Sequence, residues 1–335
     1  MKKYFVVFMV LTLLMTSIVG CSTETEGEAV DTPAELDRVT VILDWVPNTN
    51  HTGMYTAIER GFYAEEGLEV EIIQPTEGGS ADLIAAGQGE FGISYQEQVA
   101  YARTAESPLP VKAIAAIIQH NTSGFASPAD KEIISPRDFE GKRYGGWGSP
   151  MEEAMLKALM DKDGGDFSQL EMVDIGALDF FASVEGHVDF TWIYYGWDGI
   201  AAELRDYDLN FILLQDVHEA LDFYTPVIIA QEGLLEASPE LAERFLKATT
   251  KGYEYAIENP EEAAEDLLKW VPELDREMVI ASQRYLADQY QADAARWGEM
   301  KLEVWEKYSN WMYEQGLLRE ALDAEAAFTN QYLPQ

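Results

Sequence analysis

The segment 44–53 carries side chains suited to holding a small molecule. It reads Asp-Trp-Val-Pro-Asn-Thr-Asn-His-Thr-Gly, so the ring of Trp45 is followed closely by Asn48 and His51, whose side chains both donate and accept hydrogen bonds. An apolar wall with a few polar groups is typical of small-molecule sites. The alternative is a helix N-cap turn beside a core tryptophan, since Asn and Thr favour caps and Trp favours cores.

A second segment combines aromatic rings with an acid. Residues 194–198 are Tyr194, Tyr195, Gly196, Trp197 and Asp198. The Asp198 carboxylate suits an exocyclic amine and a protonated ring nitrogen, the donor pair of an aminopyrimidine. A helix N-cap after Trp197 is the alternative role of this acid.

Catalytic patterns are missing from the sequence. It contains no Ser/His/acid order, no cysteine nucleophile, no phosphate-binding glycine loop and no metal-spaced histidine cluster. The four histidines, His51, His120, His187 and His218, are widely scattered. We therefore expect a binding protein, without a metal or a cofactor.

Strand ends must position the binding side chains. Residues 39–43 form a β-branched run typical of a buried strand, and Trp45 follows it closely. Three more predicted strands end at Tyr95, Trp147 and Tyr194. Because doubly wound sheets bind ligands at the carboxyl ends of their strands, these four rings should line one crevice. Such a crevice favours a flat heteroaromatic ring.

An internal echo predicts two lobes. Residues 87–95 align without gaps on 186–194, each with a glycine, an acid, a phenylalanine and a strand ending in tyrosine. The predicted fold class is α/β, with two doubly wound sheets joined by a hinge of two crossings. The first lobe is assigned to 38–121 and 224–335, and the second lobe to 122–223.

The amino-terminal residues predict an export signal. Residues 1–20 hold two lysines and an apolar run that is shorter than the roughly 20 residues of a membrane-spanning helix. Cys21 is the only cysteine and follows a lipobox-like sequence, so we expect cleavage before it and a lipid anchor on it. An ordinary signal peptide with an incidental cysteine is the alternative. Residues 21–37 then form a flexible acidic tether.

The net charge of −37 restricts the partners of the protein. Nucleic acid is excluded, because phosphate binding requires clustered Lys and Arg. Two explanations of the charge stay open: a solvated acidic surface, or attraction of a cationic ligand.

The turn 149–153 predicts a helix start that disfavours anions. Ser149 is the expected N-cap and Pro150 the first helical residue. The acids Glu152 and Glu153 would oppose an anion there, although helix capping explains both acids as well.

Four blocks of sequence together resemble one family. They are Trp-Val-Pro-Asn-Thr-Asn-His-Thr-Gly at 45–53, and the stretches 61–68, 86–95 and 195–200. They resemble the substrate-binding proteins of ABC importers that salvage the thiamine pyrimidine, the ThiY type. The two middle blocks are shared with sulfonate, taurine and nitrate binders, whereas the first and last are specific to the family.

The resemblance implies a two-lobed fold of the periplasmic-binding-protein kind, type II, in a lipid-anchored protein outside the cytoplasm. It also implies a pyrimidine ligand, N-formyl-4-amino-5-aminomethyl-2-methylpyrimidine or a close relative, and an ABC permease with its ATPase as partners. The family commonly has glutamate where this chain has Asp198.

Other functions stay open beside that one. The alternatives are a binder of another small nitrogenous or sulfonated compound, and an extracellular sensor without a transporter. A pyrimidine-synthesising enzyme of the same fold would use the histidine of the Asn-His-Thr-Gly turn, here His51. Such enzymes also carry a cysteine-rich iron-binding motif, which a chain with Cys21 alone lacks.

Overall fold

Two five-stranded sheets form the framework of the protein. The computed structural model describes residues 36–75, 79–176 and 178–335, so the predicted signal, Cys21 and nearly all of the tether lie outside the described residues. The strands are β1 (Asp37–Ile42), β2 (Leu68–Ile73), β3 (Phe91–Ser94), β4 (Val111–Ala116), β5 (Ser123–Pro128), β6 (Arg143–Gly146), β7 (Glu171–Asp174), β8 (Phe190–Tyr194), β9 (Leu209–Leu213) and β10 (Val227–Gln231).

The two sheets share one topology. The first has the order β2-β1-β3-β10-β4 and the second β7-β6-β8-β5-β9. In each sheet three parallel strands are followed by one antiparallel strand, β10 or β5, which enters directly after the chain has crossed from the other sheet. The repeated segments 87–95 and 186–194 contain β3 and β8, which hold equivalent places. The predicted two-lobed α/β fold is therefore confirmed.

Helices surround both sheets. They are α1 (Thr52–Glu59), α2 (Phe62–Glu65), α3 (Ser80–Ala85), α4 (Gln96–Thr104), α5 (Pro150–Asp163), α6 (Phe180–Val184), α7 (Ile200–Leu204), α8 (Leu214–Val217), α9 (Glu232–Ala237), α10 (Pro239–Glu258), α11 (Pro260–Trp270), α12 (Arg276–Tyr290), α13 (Leu302–Glu314) and α14 (Ala324–Ala327). Short 3-10 turns and one π-helical turn, Tyr195–Gly199, complete the elements that matter for the site. Within the described ranges, no helix combines the length and apolar character needed to cross a membrane.

Two adjacent segments connect the sheets. One runs from the end of β4 to the start of β5, and the other precedes β10. The side-chain amide of Asn121 donates to the carbonyl of Leu221 at 2.8 Å, and the Asn121 backbone N–H donates to Asp222 Oδ1 at 3.0 Å. The segments are thus hydrogen-bonded to each other and form the hinge.

The lobe limits stay a prediction, but the strands divide clearly. Those of the first sheet lie within 37–116 and 227–231, and those of the second lie within 123–213. Asp37 already pairs with Leu68 in β1, so the ordered body begins inside the segment assigned to the tether.

Each sheet has its own hydrophobic core, and the carboxyl-terminal helices contribute to both. Trp297 and Trp305 are fully buried, as expected of packing residues. On α13, Tyr308 stacks on Phe223 with ring centroids 3.9 Å apart and belongs to the cluster around Phe125 of β5. Trp305 of the same helix belongs to the cluster around β4 and β10, so α13 packs on both lobes, and its assignment to the first lobe stays a prediction.

Candidate ligand-binding site

The predicted site begins where β1 ends, at a buried acid. Asp44 Oδ1 lies 2.8 Å from His51 Nε2, and the Tyr95 hydroxyl donates to Asp44 Oδ2 at 2.7 Å. His51 Nδ1 accepts the backbone N–H of Asn48 at 3.2 Å, so in the neutral ring Nε2 carries the proton and donates to Asp44. Burial alone raises the pKa of Asp44, but the bonds from His51 and Tyr95 outweigh it and hold that pKa below its usual value.

The predicted ligand residues Asn48 and His51 are both used inside the turn. Asn48 Oδ1 accepts the N–H of Asn50 at 2.9 Å, and Asn48 Nδ2 donates to the carbonyl of Val46 at 3.0 Å. His51 has no exposed surface and completes a capping box with Asn48. Both side chains therefore shape the turn, and their contact with a ligand stays a prediction.

Helices α10 and α12 hold the same turn from behind. The Tyr253 hydroxyl donates to the carbonyl of Asn50 at 2.7 Å, and the Tyr290 hydroxyl donates to the carbonyl of Thr49 at 2.6 Å. A Cβ at Gly53 would stand 2.3 Å from the Tyr253 ring, so only glycine admits this ring. Trp45, which precedes the turn, is 59% exposed. Its ring is therefore free to stack on a ligand.

The two lobes meet at Tyr194, the last residue of β8. Tyr194 is 37% exposed, yet burial raises its pKa, with the carboxylates of Glu97 and Asp44 adding to the effect. Tyr194 of the second sheet therefore lies near two carboxylates that follow strands of the first sheet. Tyr95 experiences the charge of Asp44 and the nearby Tyr194 hydroxyl as well. We call the space between these strand ends the strand-end crevice; Asp44, Tyr95 and Tyr194 converge on it.

Trp147 lies after β6 and is 52% exposed. Its ring is 5.6 Å from that of Trp192, with an angle of 36° between the planes. Trp192 and Tyr194 share one face of β8, because side chains alternate along a strand. The indole N–H of Trp192 is buried without a hydrogen-bond partner in the described part of the chain. Trp147 and Trp192 thus form an aromatic pair at the strand ends of the second lobe, and the pair has one unused donor among the described residues.

Tyr195 points away from this group of residues. Its ring packs on Phe211 at 5.1 Å and on Tyr285 of α12 at 5.4 Å, and its hydroxyl donates to Glu203. It therefore joins the π-helical turn to the first lobe. The sequence analysis expected a ligand contact here, and that role stays a prediction.

Trp197 and Asp198 lie within the π-helical turn, which the sequence did not predict. Gly199 holds the N-cap position of α7, so Asp198 is not the cap that the alternative interpretation required. Burial, reinforced by the charge of Asp179, raises the pKa of Asp198 to about 6, while Arg205 lowers it. These neighbours all belong to the second lobe. A backbone hydrogen bond from Tyr194 also lowers the pKa of Asp198, so this acid lies beside the end of β8.

The start of α5 contains a second buried acid. Glu152 Oε1 accepts the Tyr144 hydroxyl at 2.6 Å, and both of its oxygens lie 3.2 Å from the Trp147 backbone N–H. Glu152 Oε2 also accepts the Ser149 N–H at 2.9 Å. Ser149 is the N-cap and Pro150 the first helical residue, as predicted. Glu153, next in the chain, is exposed.

Sequence reasoning missed Glu97 and Trp192. Glu97 lies in the first turn of α4, where an acid is ordinary, so nothing in the local pattern distinguished it. Burial raises its pKa to about 7, and its Oε2 has no hydrogen-bond partner among the described residues. Trp192 could have been predicted, because it precedes Tyr194 by two residues on one strand and so shares a face with it.

The chain is similar to known proteins of one family. The family model described as NMT1/THI5 like matches residues 48–263. The formylaminopyrimidine-binding protein of Halalkalibacterium halodurans is 30% identical over 98% of this chain and 99% of its own. A 4-amino-5-hydroxymethyl-2-methylpyrimidine phosphate synthase of Legionella pneumophila is 24% identical over 89% of this chain and 92% of its own. Binding proteins and a synthase are therefore both among the relatives.

The fold has solved neighbours. The alkanesulfonate-binding protein SsuA from Xanthomonas axonopodis pv. citri superimposes with a TM-score of 0.65, at 14% identity, over 88% of this chain and 99% of its own. At that identity the likeness concerns the fold.

Proposed function

Because the chain belongs to the NMT1/THI5-like family, we propose that it is the substrate-binding protein of an ABC importer and binds a thiamine-precursor pyrimidine. N-formyl-4-amino-5-aminomethyl-2-methylpyrimidine, or a close relative, is the proposed ligand. The relative of H. halodurans, named as a formylaminopyrimidine-binding protein and similar along its whole length, supports this choice.

The meeting of Tyr95 and Tyr194 near the buried carboxylate of Asp44 carries the proposal. Two rings from different lobes suit a flat heterocycle that holds the lobes together, and a nearby carboxylate favours amine donors. Each stacked ring contributes about 0.5–1.5 kcal/mol beyond the area it buries, so a few contacts account for much of a micromolar affinity.

Binding without chemistry is the second part of the proposal. His51 is the residue that a synthase would use, and here both of its ring nitrogens are engaged, by Asp44 and by the Asn48 N–H. A histidine held in this way supports the turn and is not free to react. Mass spectrometry should recover the pyrimidine unchanged after incubation with the protein; a converted product would contradict the binding-only role.

Calorimetry tests the ligand class. The purified protein should release heat on titration with the formylated or free aminomethylpyrimidine, and none with taurine or ethanesulfonate. Trp45→Ala should weaken pyrimidine binding by roughly 1–3 kcal/mol, because it removes a stacking surface. Trp270→Ala is the matched control, since Trp270 is a similarly exposed tryptophan on α11. Heat with sulfonates and none with pyrimidines would reject the proposal.

The location is proposed from the family and the sequence. We infer an extracytoplasmic protein that is held at the membrane by a lipid on Cys21 and delivers its ligand to a permease, which works with its ATPase. Cys21→Ser should release the protein from the membrane fraction without altering ligand affinity, because Cys21 precedes the body that begins at Asp37. Retention of this variant in membranes would remove the lipid anchor from the proposal.

A further inference from the structure

The buried acid Glu152 lies in the first turn of α5, directly after the end of β6. The end of β6 and the amino terminus of α5 converge there, and unpaired backbone N–H groups at such a junction attract negative charge. In this protein the Trp147 and Ser149 N–H groups both point at the carboxylate of Glu152, at 2.9–3.2 Å. An anion from outside would find these donors already taken.

Glu152 does more than an ordinary capping residue. A capping box requires only one bond from the side chain of the third helical residue, which accepts the N-cap N–H; here Glu152 accepts the Ser149 N–H. Glu152 additionally accepts the Tyr144 hydroxyl and the Trp147 N–H, and it has no exposed surface. Glu153, the next acid of the same turn, is exposed. The full burial needs another explanation.

The backbone is shaped to admit this carboxylate. A Cβ at Gly146 would stand 2.1 Å from Glu152 Oε1 and 2.6 Å from the Tyr144 ring, so glycine is required there. The Tyr144 hydroxyl is turned to the same oxygen, and burial together with the Glu152 charge raises the pKa of Tyr144 well above its usual value. Three donors and one glycine thus enclose a single internal anion.

We call the group formed by the Tyr144 hydroxyl and the N–H groups of Trp147 and Ser149 the anion seat. We propose that Glu152 determines the ligand class, because its carboxylate fills this seat in the second lobe. The crevice therefore binds neutral or cationic ligands and does not bind sulfonates or other anions. This inference rests on the proposed function for its ligand, but the occupancy of the seat is testable without any pyrimidine.

The test is chemical rescue of an emptied seat. Glu152→Ala removes the internal anion and leaves three donors unpaired, so acetate or methanesulfonate should bind there and raise the melting temperature of the variant in a concentration-dependent way. Sodium chloride at equal ionic strength controls for salt. The wild type and Glu153→Ala, whose seats stay filled, should respond to acetate no more than to chloride. Glu152→Gln should also show no rescue, because its amide fills the space.

The outcomes separate the two proposals. Equal responses of Glu152→Ala to acetate and chloride would overturn the filled-seat inference. So would methanesulfonate binding to the wild type in calorimetry, a result that does not depend on any variant folding. At least a tenfold gain in methanesulfonate affinity in Glu152→Ala would support the inference, even if the wild type binds no pyrimidine and the proposed ligand is wrong.

Discussion

Replacement of Asp198 by asparagine should stabilise the free protein and weaken its ligand binding at the same time. The acid is half-buried in the π-helical turn, and burial with the charge of Asp179 raises its pKa from 3.8 to about 6. One pKa unit corresponds to about 1.4 kcal/mol, so ionising this carboxyl at pH 8 costs the folded state up to about 3 kcal/mol. Asparagine has nearly the same volume and does not ionise.

The sign of the effect fixes the pH range. The folded state prefers the protonated acid, so the contribution of Asp198 to stability is complete below pH 3.8 and is lost as the pH rises through about 6. Asp198→Asn should therefore match the wild type near pH 4 and exceed it at pH 8. Urea denaturation at both pH values measures the difference. Asp208→Asn, an exposed acid in the same lobe, is the control.

Ligand binding should change in the opposite direction. If Asp198 accepts hydrogen bonds from the amine of a pyrimidine, the substitution places a donor against a donor and costs about 2–4 kcal/mol of affinity. Asp198→Glu, the residue common in the family, should retain binding. A variant that is more stable at pH 8 but binds the pyrimidine as the wild type does would refute the ligand role. Equal stability at both pH values would refute the electrostatic reasoning.

Three further predictions follow from buried groups. His51→Ala should cost about 3–5 kcal/mol in urea denaturation, because it removes the Nε2–H donor from the buried Asp44 carboxylate; a loss below 1 kcal/mol would contradict this. Gly53→Ala should lower the melting temperature markedly, since its Cβ would stand 2.3 Å from the Tyr253 ring, and an unchanged temperature would refute that packing. Burial raises the pKa of Glu97 to about 7, so its contribution is lost as the pH rises through that value; Glu97→Gln should stabilise the protein at pH 8.5 but not at pH 4, and an equal effect at both would contradict it.

The strand ends were predictable because they depend on short-range patterns. A β-branched run precedes Asp44, and a glycine, an acid and a phenylalanine precede both Tyr95 and Tyr194. Such runs predict buried strands. The strand ends then bring Asp44, Tyr95 and Tyr194 together, as the rule for doubly wound sheets requires. The repeat between the two halves was predictable for the same reason, because the same strand motif occupies equivalent places in both sheets.

The orientation of side chains after a strand end was not predictable. Tyr195 would continue the alternation of β8 only if the strand continued, but the chain enters a π-helical turn and the ring packs on Tyr285, ninety residues away. Likewise the burial of Glu97 depends on its surroundings in the fold: Tyr194 of the other lobe and Tyr308 of α13 both experience its charge. Contacts of this kind form between elements that no local pattern connects.

The Asn-Thr-Asn-His-Thr-Gly turn illustrates how a motif can hold neighbouring side chains in place. Asn48 and His51 direct their polar atoms into the turn, and Gly53 admits the Tyr253 ring. His51 also fixes the position of Asp44, whereas Trp45 is exposed. The turn therefore supports its own fold and that of Asp44, whatever contacts it makes with a ligand. Changes in the turn should alter stability and affinity together, whereas Trp45→Ala should alter affinity alone.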